Sequence, residues 1–292
     1  MKIRVQAYAK INLHLDVTGI RYDGYHNIQS IMHSISLCDI VDIELTENKK
    51  IVIECDTPGV PLDEKNIAYK AARLFLDKAE KSVGVTVKIK KNIPMAAGLA
   101  GGSADGAAVL VGLNKLFESV LPLEELYSLG SALGADVPFC IACGCCYTEG
   151  IGDKMLELPS LSDNTVLVIT CGGEGVSTPV AYGLLDKKHN KFVDYLPKSI
   201  EKIKSSILLG KNDFYKYMFN IFEEPIAKER SAVQNAKTVM LDCGAVASMM
   251  SGSGPSVFGV YNDILSAQKV VSLLNEQGYF ACVAHPTAKR VF

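Results

Sequence analysis

Pro94-Met-Ala-Ala-Gly-Leu-Ala-Gly-Gly-Ser-Ala104 decides the fold class of this chain. Before it, Val85-Thr-Val-Lys-Ile89 alternates apolar and polar residues as a half-buried strand does, and residues 104–117 place Ala, Leu and Val at helical spacing. Glycines between a strand and a helix let backbone amides approach phosphate oxygens, because a residue without Cβ reaches unusual dihedral angles. We expect Ser103 to be the helix N-cap, beside an anion site formed by the first amides and the helix dipole. The stretch therefore predicts a phosphate-binding loop.

Two common nucleotide motifs do not fit this loop. A Walker A loop needs a lysine after its last glycine, and none follows Gly102. The Rossmann pattern Gly-x-Gly-x-x-Gly is also absent from the loop. A tight strand-to-helix turn without a ligand remains the alternative. Three glycines within residues 98–102, next to a helix start, favour phosphate binding over that alternative.

The composition is that of a globular protein without a general positive field. The 292 residues are 48% hydrophobic, enough for a substantial core in two domains or one large one. The formal net charge is −2, from 30 basic and 32 acidic residues, which argues against nucleic-acid binding through overall charge. Residues 1–8 contain no continuous apolar segment, and no uncharged apolar run approaches the ~20 residues that cross a bilayer. We expect a soluble cytoplasmic protein that binds neither nucleic acid nor membrane.

Four of the nine cysteines crowd into one short apolar stretch. They are Cys140, Cys143, Cys145 and Cys146. Their spacing lacks the paired knuckles of a structural zinc site, which is the alternative interpretation. If residues 137–147 form a strand, these side chains alternate between its faces. We expect reduced cysteines that pack as small hydrophobic residues.

The order of predicted elements indicates an α+β fold. In the first half we expect strands at 2–18, 28–37, 40–46 and 51–54, and helices at 66–81, with Asn66 as N-cap, 104–117 and 123–133. The stretch 149–160, rich in Gly, Pro and charge, suggests a division into domains 1–152 and 153–292. In the second half we expect strands at 165–170, 257–261 and 280–285, and helices at 179–185, 199–208, 213–221, 230–242 and 264–277.

Three further stretches contain candidate chemistry. Lys10 lies in the apolar alternating segment 7–15, where it either faces solvent at a strand edge or neutralises a phosphate or orients a carboxylate. Asp136, in Leu-Gly-Ala-Asp-Val-Pro-Phe, is either a turn residue or the acceptor of a hydroxyl proton in phosphoryl transfer. Met250-Ser-Gly-Ser-Gly-Pro-Ser-Val-Phe258 is either a plain turn or a second backbone cradle.

Taken in this order, Lys10, the loop 94–104 and the stretch 251–258 resemble the three motifs of the GHMP kinase superfamily over nearly the whole chain. Asp23-Gly-Tyr-His26 narrows the resemblance to members of the non-mevalonate isoprenoid (MEP) pathway, because homoserine and mevalonate kinases do not characteristically carry this turn. The resemblance implies an N-terminal domain like domain 2 of ribosomal protein S5, a C-terminal ferredoxin-like domain, and a cleft between them. It also implies transfer of the ATP γ-phosphate, with Mg2+, to the 2-hydroxyl of a cytidine diphosphate-linked polyol. We expect a monomer or weak dimer.

The resemblance also implies a role for each candidate residue. Asp136 would be the general base, and Lys10 would stabilise its carboxylate and the charge on the γ-phosphoryl group. The ATP-binding residues would be Pro94, Met95, Ala96, Ala97, Gly98, Leu99, Ala100, Gly101, Gly102, Ser103 and Ala104. The Mg2+ ligands stay unassigned, with Ser103 as a candidate.

The substrate-binding residues implied by the resemblance are aromatic or polar. Tyr25 would stack on cytosine, His26 would hydrogen-bond its edge, and Tyr182 would complete the stack. Stacking supplies affinity for a flat base, and hydrogen bonds to the ring edge supply specificity. Asn12, in the same motif as Lys10, is placed with the substrate.

Two residues depart from the family pattern. Ala96 stands where glycine is common, and Gly106 stands where alanine is common. We expect Gly106 to weaken its helix by roughly 0.5–1 kcal/mol relative to alanine.

The two alternative functions are a GHMP kinase for another small alcohol, such as homoserine or mevalonate, and a non-catalytic nucleotide- or RNA-binding module.

Overall fold

The computed structural model describes residues 1–175, 177–192, 195–227 and 230–290. The strands are β1 (Lys2–Ile20), β2 (His26–Thr46), β3 (Ile51–Cys55), β4 (Gly84–Lys90), β5 (Cys145–Glu149), β6 (Lys154–Leu158), β7 (Val166–Cys171), β8 (Phe219–Asn220), β9 (Ala247–Met250), β10 (Val257–Tyr261) and β11 (Phe280–Ala284). The α-helices are α1 (Ile67–Lys78), α2 (Gly101–Leu116), α3 (Leu123–Leu133), α4 (Val137–Ala142), α5 (Thr178–Lys188), α6 (Glu201–Leu208), α7 (Ser231–Asp242) and α8 (Ile264–Glu276). The predicted α+β class is confirmed.

A long antiparallel ribbon of β1 and β2 organises the first sheet. Its strand order is β3-β4-β2-β1-β8, with β5 paired to β2 and β6 paired to β5. The predicted break near residues 38 and 39 is wrong, because β2 continues through them as one strand. The ribbon changes register between Tyr8 and Lys10. Such irregularities bend a strand and re-aim side chains, so Lys10 lies where the ribbon's regular alternation is interrupted.

Helix α2 packs closely between the first sheet and α1. Every residue from 104 to 114 is buried, which is typical of a helix that is apolar on all sides. A Cβ on Gly112 would lie 2.3 Å from Ile43 Cδ1, and one on Gly106 would lie 2.6 Å from Ile67 Cγ2. The helix therefore needs glycine at both contacts, and the start of α2 is held firmly against the rest of the domain.

The second sheet is antiparallel, with the order β11-β7-β10-β9. Its β7 and β10 share a core with the first sheet, in which Ile11 and Leu13 pack with Leu167, Ile169 and Phe258. The division of the chain at residues 152 and 153 stays a prediction. That point lies in the turn between β5 and β6, which pair with each other in the first sheet. The last two residues of the predicted second domain, 291 and 292, lie outside the described part of the chain.

Two further predicted elements are wrong, whereas a helix and a helix cap are as predicted. The apolar run 137–147 forms α4 and then β5 instead of one strand, because a proline in the first turn suits a helix start. Residues 213–221 form short 3-10 turns and β8 instead of a helix, and the Asn220 carboxamide accepts the amide of Phe222 to begin the second turn. Helix α3 has the predicted bounds, and Asn66 caps α1.

The cysteines of residues 140–146 are buried free thiols, as expected of packing residues. Burial raises the pKa of Cys140 and Cys145, which keeps their thiols protonated. Within the described ranges, no helix is both long and apolar enough to cross a membrane.

Candidate active site

The predicted site residues meet at one cavity of about 1120 Å³. Residues from separate parts of the chain line it together: Lys10, Asn12, Tyr25, His26, Asp136, Tyr182 and, from the loop, Pro94, Met95, Ala96, Ala97, Gly98, Ala100, Gly101, Gly102 and Ser103. The remaining loop residues, Leu99 and Ala104, are buried in the hydrophobic cores and anchor the loop. The cavity is therefore bordered by a glycine-rich loop, a lysine, a carboxylate and an aromatic turn.

Lys10 and Asp136 form an ion pair at the cavity wall. Lys10 Nζ lies 3.9 Å from Asp136 Oδ2. Lys10 is 5% exposed, so it does not face solvent at a strand edge. Its strand β1 lies between β2 and β8 inside the sheet. The Asp136 side chain is 38% exposed, so its carboxylate can meet a molecule that enters the cavity.

A chain of buried hydrogen bonds fixes the Lys10 ammonium. Lys10 Nζ donates to Asn12 Oδ1 at 2.7 Å, and Asn12 Nδ2 donates to Ser30 Oγ at 2.9 Å. Ser30 Oγ donates in turn to the His14 carbonyl at 2.6 Å. Asn12 thus orients Lys10 through its amide, a role that the sequence did not indicate, while it also lines the cavity.

Asp136 precedes helix α4, but its side chain does not cap it. Its backbone is helical at φ −83° and ψ −13°, and its carboxylate makes no capping hydrogen bond to α4. Asp136 thus lies in the turn before α4, as one of its two interpretations expected, but its carboxylate is not used to cap the helix. Because the following turn is fixed by buried Val137, Pro138 and Phe139, the carboxylate is held by a rigid support and remains free for chemistry.

The loop reaches its shape through residues in the left-handed region. Ala96, Gly98 and Ala100 have φ angles of 51°, 76° and 58°. A Cβ on Gly98 would lie 2.2 Å from the Ser251 carbonyl oxygen, so only glycine fits there. Alternation of left-handed and ordinary residues turns successive amides to one side, an arrangement that binds anions.

The prediction that Ser103 is the N-cap of α2 is wrong. Ala100 is the N-cap, and the helix begins at Gly101. The two glycines join the helix instead of preceding it, so Ser103 lies in the first turn. The first amides of a helix have no intrahelical partner. Those of residues 101–103, which line the cavity, therefore keep the predicted anion site at the dipole's positive end.

The stretch 251–258 clasps the loop. Ser251 Oγ donates to the Gly98 carbonyl at 3.0 Å, and the Ser256 amide donates to the Ala97 carbonyl at 3.2 Å. Asn220 Nδ2 donates to the carbonyl of Gly252 at 2.9 Å and supports the clasp from behind. Because 252–254 also lines the cavity, this stretch is more than a plain turn.

A buried charge cluster beside the loop was missed from sequence. Lys91 Nζ contacts Asp39 Oδ2 and lies 2.7 Å from Asp105 Oδ2. Asp39 Oδ1 accepts the amides of Asn92 at 2.5 Å and Ile93 at 2.8 Å. Burial raises the pKa of Asp105 to about 7, an effect that Lys91 opposes. The sequence held one signal of this cluster, because Asp105 is a charged residue inside the apolar run of α2.

Oxygen donors near the start of α2 fit a magnesium ion. Asp105 Oδ1 is buried without a hydrogen-bond partner among the described residues. Asp105 lines the cavity together with Ser103. Carboxylate and hydroxyl oxygens suit Mg2+, which is usually held by one or two carboxylates and by substrate phosphates. The part of the chain that the structure describes contains no group of three or more His, Cys, Asp or Glu arranged for a metal.

The aromatic turn also lines the cavity. Tyr25 is 63% exposed, and its amide donates to Asp23 Oδ1 at 3.1 Å. His26 Nε2 lies 2.6 Å from Asp186 Oδ1. The Tyr182 ring stacks on the imidazole of His26, with centroids 4.5 Å apart at 30°. Asp186 was missed from sequence.

Tyr182 links this aromatic turn to the ion pair. Phe222 meets its ring edge-on at 5.1 Å. Burial raises the pKa of Tyr182, and the charge of Asp136 raises it further. Tyr182 is thus protonated at neutral pH and within electrostatic reach of Asp136. A stack of a base between Tyr25 and Tyr182 stays a prediction.

Comparisons with known proteins identify similar proteins by sequence. The family model of the GHMP kinases N terminal domain matches residues 66–144, and that of the GHMP kinases C terminal matches residues 200–279. The chain is 45% identical over 276 residues to 4-diphosphocytidyl-2-C-methyl-D-erythritol kinase of Clostridium botulinum (strain Eklund 17B / Type B), covering 94% of this chain and 96% of that protein.

Solved structures of kinases are also similar to this chain. A crystal structure of 4-(cytidine 5'-diphospho)-2C-methyl-D-erythritol kinase matches with a TM-score of 0.79 at 28% identity, over 97% of this chain and 99% of that one. A crystal structure of mevalonate kinase matches with a TM-score of 0.77 at 15% identity, over 98% and 99%, which shows a shared fold alone. Since the strong sequence identity spans nearly the full length of both chains and both family models match, this chain belongs to the 4-diphosphocytidyl-2-C-methyl-D-erythritol kinase family of the GHMP kinases.

Proposed function

We propose that this chain transfers the γ-phosphate of ATP to the 2-hydroxyl of 4-diphosphocytidyl-2-C-methyl-D-erythritol, a step of MEP isoprenoid biosynthesis. The observation that carries the proposal is the Lys10–Asp136 ion pair at the wall of the cavity that the glycine-rich loop and the aromatic turn also line. The family of the chain supports the same reaction.

The proposed chemistry needs one proton acceptor and charge stabilisation. Asp136 accepts the proton of the 2-hydroxyl as its oxygen attacks the γ-phosphorus. A new oxygen–phosphorus bond forms, the bond to the β,γ-bridging oxygen breaks, and ADP leaves. Lys10, fixed by Asn12 at 2.7 Å, offsets the negative charge of Asp136 and of the γ-phosphoryl group. Phosphoryl transfer depends mostly on such positioning and electrostatic stabilisation.

We propose that the loop 94–104 and the first turn of α2 hold the ATP phosphates. The first helical amides supply hydrogen-bond donors, and the left-handed residues Ala96, Gly98 and Ala100 shape the backbone around an anion. Ser103 and Asp105 are the candidate Mg2+ ligands. When bound, Mg2+ supplies neutralisation of charge on the β- and γ-phosphates.

We propose that the aromatic turn binds the cytosine. Tyr25 is exposed and free to cover one face of the base, and His26 offers a ring nitrogen for the base edge. Tyr182 lines the same cavity while stacked on His26, and it would complete the aromatic enclosure of the base. A neutral aromatic site suits a pyrimidine, since stacking and edge hydrogen bonds both act without charge. We further propose that the protein acts in the cytoplasm, as a monomer or weak dimer.

The other functions are less well supported. Likeness to mevalonate kinase is limited to the fold, and a paired lysine and aspartate in the cavity are unnecessary for a silent binding module. The net charge of −2 disfavours RNA.

Comparison of kcat/KM for three alcohols tests the proposal. With ATP and Mg2+, we expect turnover of the cytidyl substrate to exceed that of homoserine and mevalonate by at least about 10^3-fold, because the site groups that bind cytosine stay unpaired with the small alcohols. Preferred turnover of homoserine or mevalonate would refute it.

A further inference from the structure

Two side chains of α5 hold the imidazole of His26. Asp186 follows Tyr182 by four residues, so both project from one face of the helix. Tyr182 covers the face of the ring, and Asp186 Oδ1 meets its Nε2 at 2.6 Å. Phe192 adds an edge contact at 5.7 Å. With its side chain only 8% exposed, His26 is fixed in position and in rotation about its ring.

The contact with Asp186 also decides which nitrogen of His26 carries hydrogen. A carboxylate only accepts hydrogen bonds, so His26 Nε2 must donate to it. In a neutral imidazole the other nitrogen, Nδ1, then presents a lone pair. No hydrogen-bond partner of Nδ1 occurs within the described ranges, and His26 and Asp186 both line the cavity. The ring therefore offers an unpaired acceptor to a ligand.

We propose that Asp186 is a positioning residue that makes the site selective for cytosine over uracil, by keeping His26 Nδ1 as a hydrogen-bond acceptor. This inference rests on the proposed function. Cytosine presents a 4-amino donor at the position where uracil presents a 4-oxo acceptor. Cytosine therefore pairs with Nδ1, whereas uracil sets one acceptor against another. An unpaired polar group in a binding site disfavours the wrong ligand strongly.

Binding of two nucleotides to three proteins tests the inference without requiring turnover. The dissociation constants of cytidine 5'-diphosphate and uridine 5'-diphosphate are measured by calorimetry with a non-hydrolysable ATP analogue occupying the other nucleotide site. The proteins are the wild type, Asp186→Leu, which keeps the branch at Cγ but has no acceptor, and Asp186→Asn, which keeps an acceptor oxygen. Thermal unfolding verifies that each is folded.

We expect the wild type to prefer the cytidine nucleotide by about 100-fold or more, and Asp186→Leu to lose about 10-fold or more of that preference. Asp186→Asn should retain most of it. In turnover assays the loss in Asp186→Leu should appear in KM for the cytidyl substrate more than in kcat, because Asp186 does not touch the reacting atoms. Nitrogen-15 NMR of the wild type should show hydrogen on His26 Nε2.

An unchanged preference in folded Asp186→Leu, or hydrogen on Nδ1 in the wild type, would overturn the inference. Those results would leave the proposed function standing if the cytidyl substrate is still phosphorylated. Conversely, wild type that binds cytidine nucleotides selectively through Asp186 but phosphorylates no cytidyl substrate would refute the proposed reaction alone.

Discussion

Lys10 Nζ lies 3.9 Å from Asp136 Oδ2, and this contact joins a buried strand to the start of a short helix. The two partners differ in exposure, since Lys10 is 5% exposed and the Asp136 side chain 38%. The ammonium is thus fixed by the fold, while the carboxylate can reach a substrate. The contact brings together two residues that lie far apart in the chain.

Lys10→Met should reduce kcat by about 10^2-fold or more, because it removes the charge that stabilises the transferred phosphoryl group. Methionine fills most of the buried space, so the protein should remain folded. Steady-state kinetics with the cytidyl substrate measure the effect. Lys90→Met, on the exposed end of β4, is the control and should keep wild-type kinetics. Equal kcat for Lys10→Met and wild type would remove Lys10 from the proposed chemistry.

Ala96→Gly should raise the free energy of unfolding by about 0.5–1 kcal/mol. Ala96 has a φ of 51°, and a left-handed conformation costs a residue with Cβ roughly 1–2 kcal/mol, part of which glycine loses again through chain entropy. Urea unfolding measures the change. Ala97→Gly is the matched control, because Ala97 is buried and outside the left-handed region, and it should destabilise. Destabilisation of similar size in both variants would contradict the strain at Ala96.

Gly106→Ala should destabilise the protein by about 1 kcal/mol, contrary to the expectation from helix propensity. The new Cβ would lie 2.6 Å from Ile67 Cγ2, and overpacking of this kind costs about 1–3 kcal/mol against a helix gain of about 0.5–1 kcal/mol. Gly183→Ala in α5 is the control, since its Cβ would meet nothing within 4 Å. That control should stabilise, as judged by chemical unfolding, and a stabilising Gly106→Ala would show that α1 and α2 separate freely.

His33 should make the protein less stable in mild acid. Its Nδ1 donates to the Ser34 carbonyl at 2.8 Å, and its Nε2 accepts the Leu161 amide at 3.0 Å. Only the neutral ring satisfies both bonds, and burial lowers the pKa of His33 to about 4. In the unfolded chain His33 has a pKa of about 6.5, and in the folded chain it has a pKa of about 4. Between these two pH values only the unfolded chain binds the proton, so the free energy of unfolding falls as the pH is lowered across this range.

Between pH 7 and pH 5 this single proton costs about 2 kcal/mol. Burial lowers the pKa of His14 to about 4 as well, and burial raises the pKa of Asp105 to about 7, which acts in the opposite direction. Both contributions are common to wild type and His33→Gln, so the wild type should lose about 2 kcal/mol more than the variant. Urea unfolding at the two pH values gives both differences, and identical losses in wild type and variant would show that His33 titrates normally when folded.

Local signals in the sequence predicted several elements well. Asn66 was identified as a helix cap and its carboxamide accepts the Ala68 amide at 2.9 Å, and the bounds of α3 are as predicted. The run 137–147 was misassigned because short apolar segments fit a buried strand and a buried helix equally well. Ser103 was misplaced because the two preceding glycines, which usually end helices, here begin one.

The candidate site likewise contains some residues that the sequence predicted and others that it did not. Lys10, Asp136 and the loop lie in contiguous motifs, so their residues could be named from the chain. Lys91 and Asp186 work through partners more than ten residues away in sequence, Asp105 and His26 among others. Such pairings depend on how separate elements pack. The only local signal was Asp105, a charged residue inside the apolar run of α2, and it does not indicate which residue is its partner.

The most direct test of the proposed function follows the phosphate itself. Wild type and Asp136→Asn are each incubated with ATP, Mg2+ and 4-diphosphocytidyl-2-C-methyl-D-erythritol, and phosphorus-31 NMR records the products. We expect a new monophosphate ester at the 2-hydroxyl, formed with ADP by the wild type and at least about 10^2-fold more slowly by Asp136→Asn, although both bind ATP. Folded wild type that binds ATP but forms no such ester, or an Asp136→Asn variant that forms it at the wild-type rate, would contradict the proposed function.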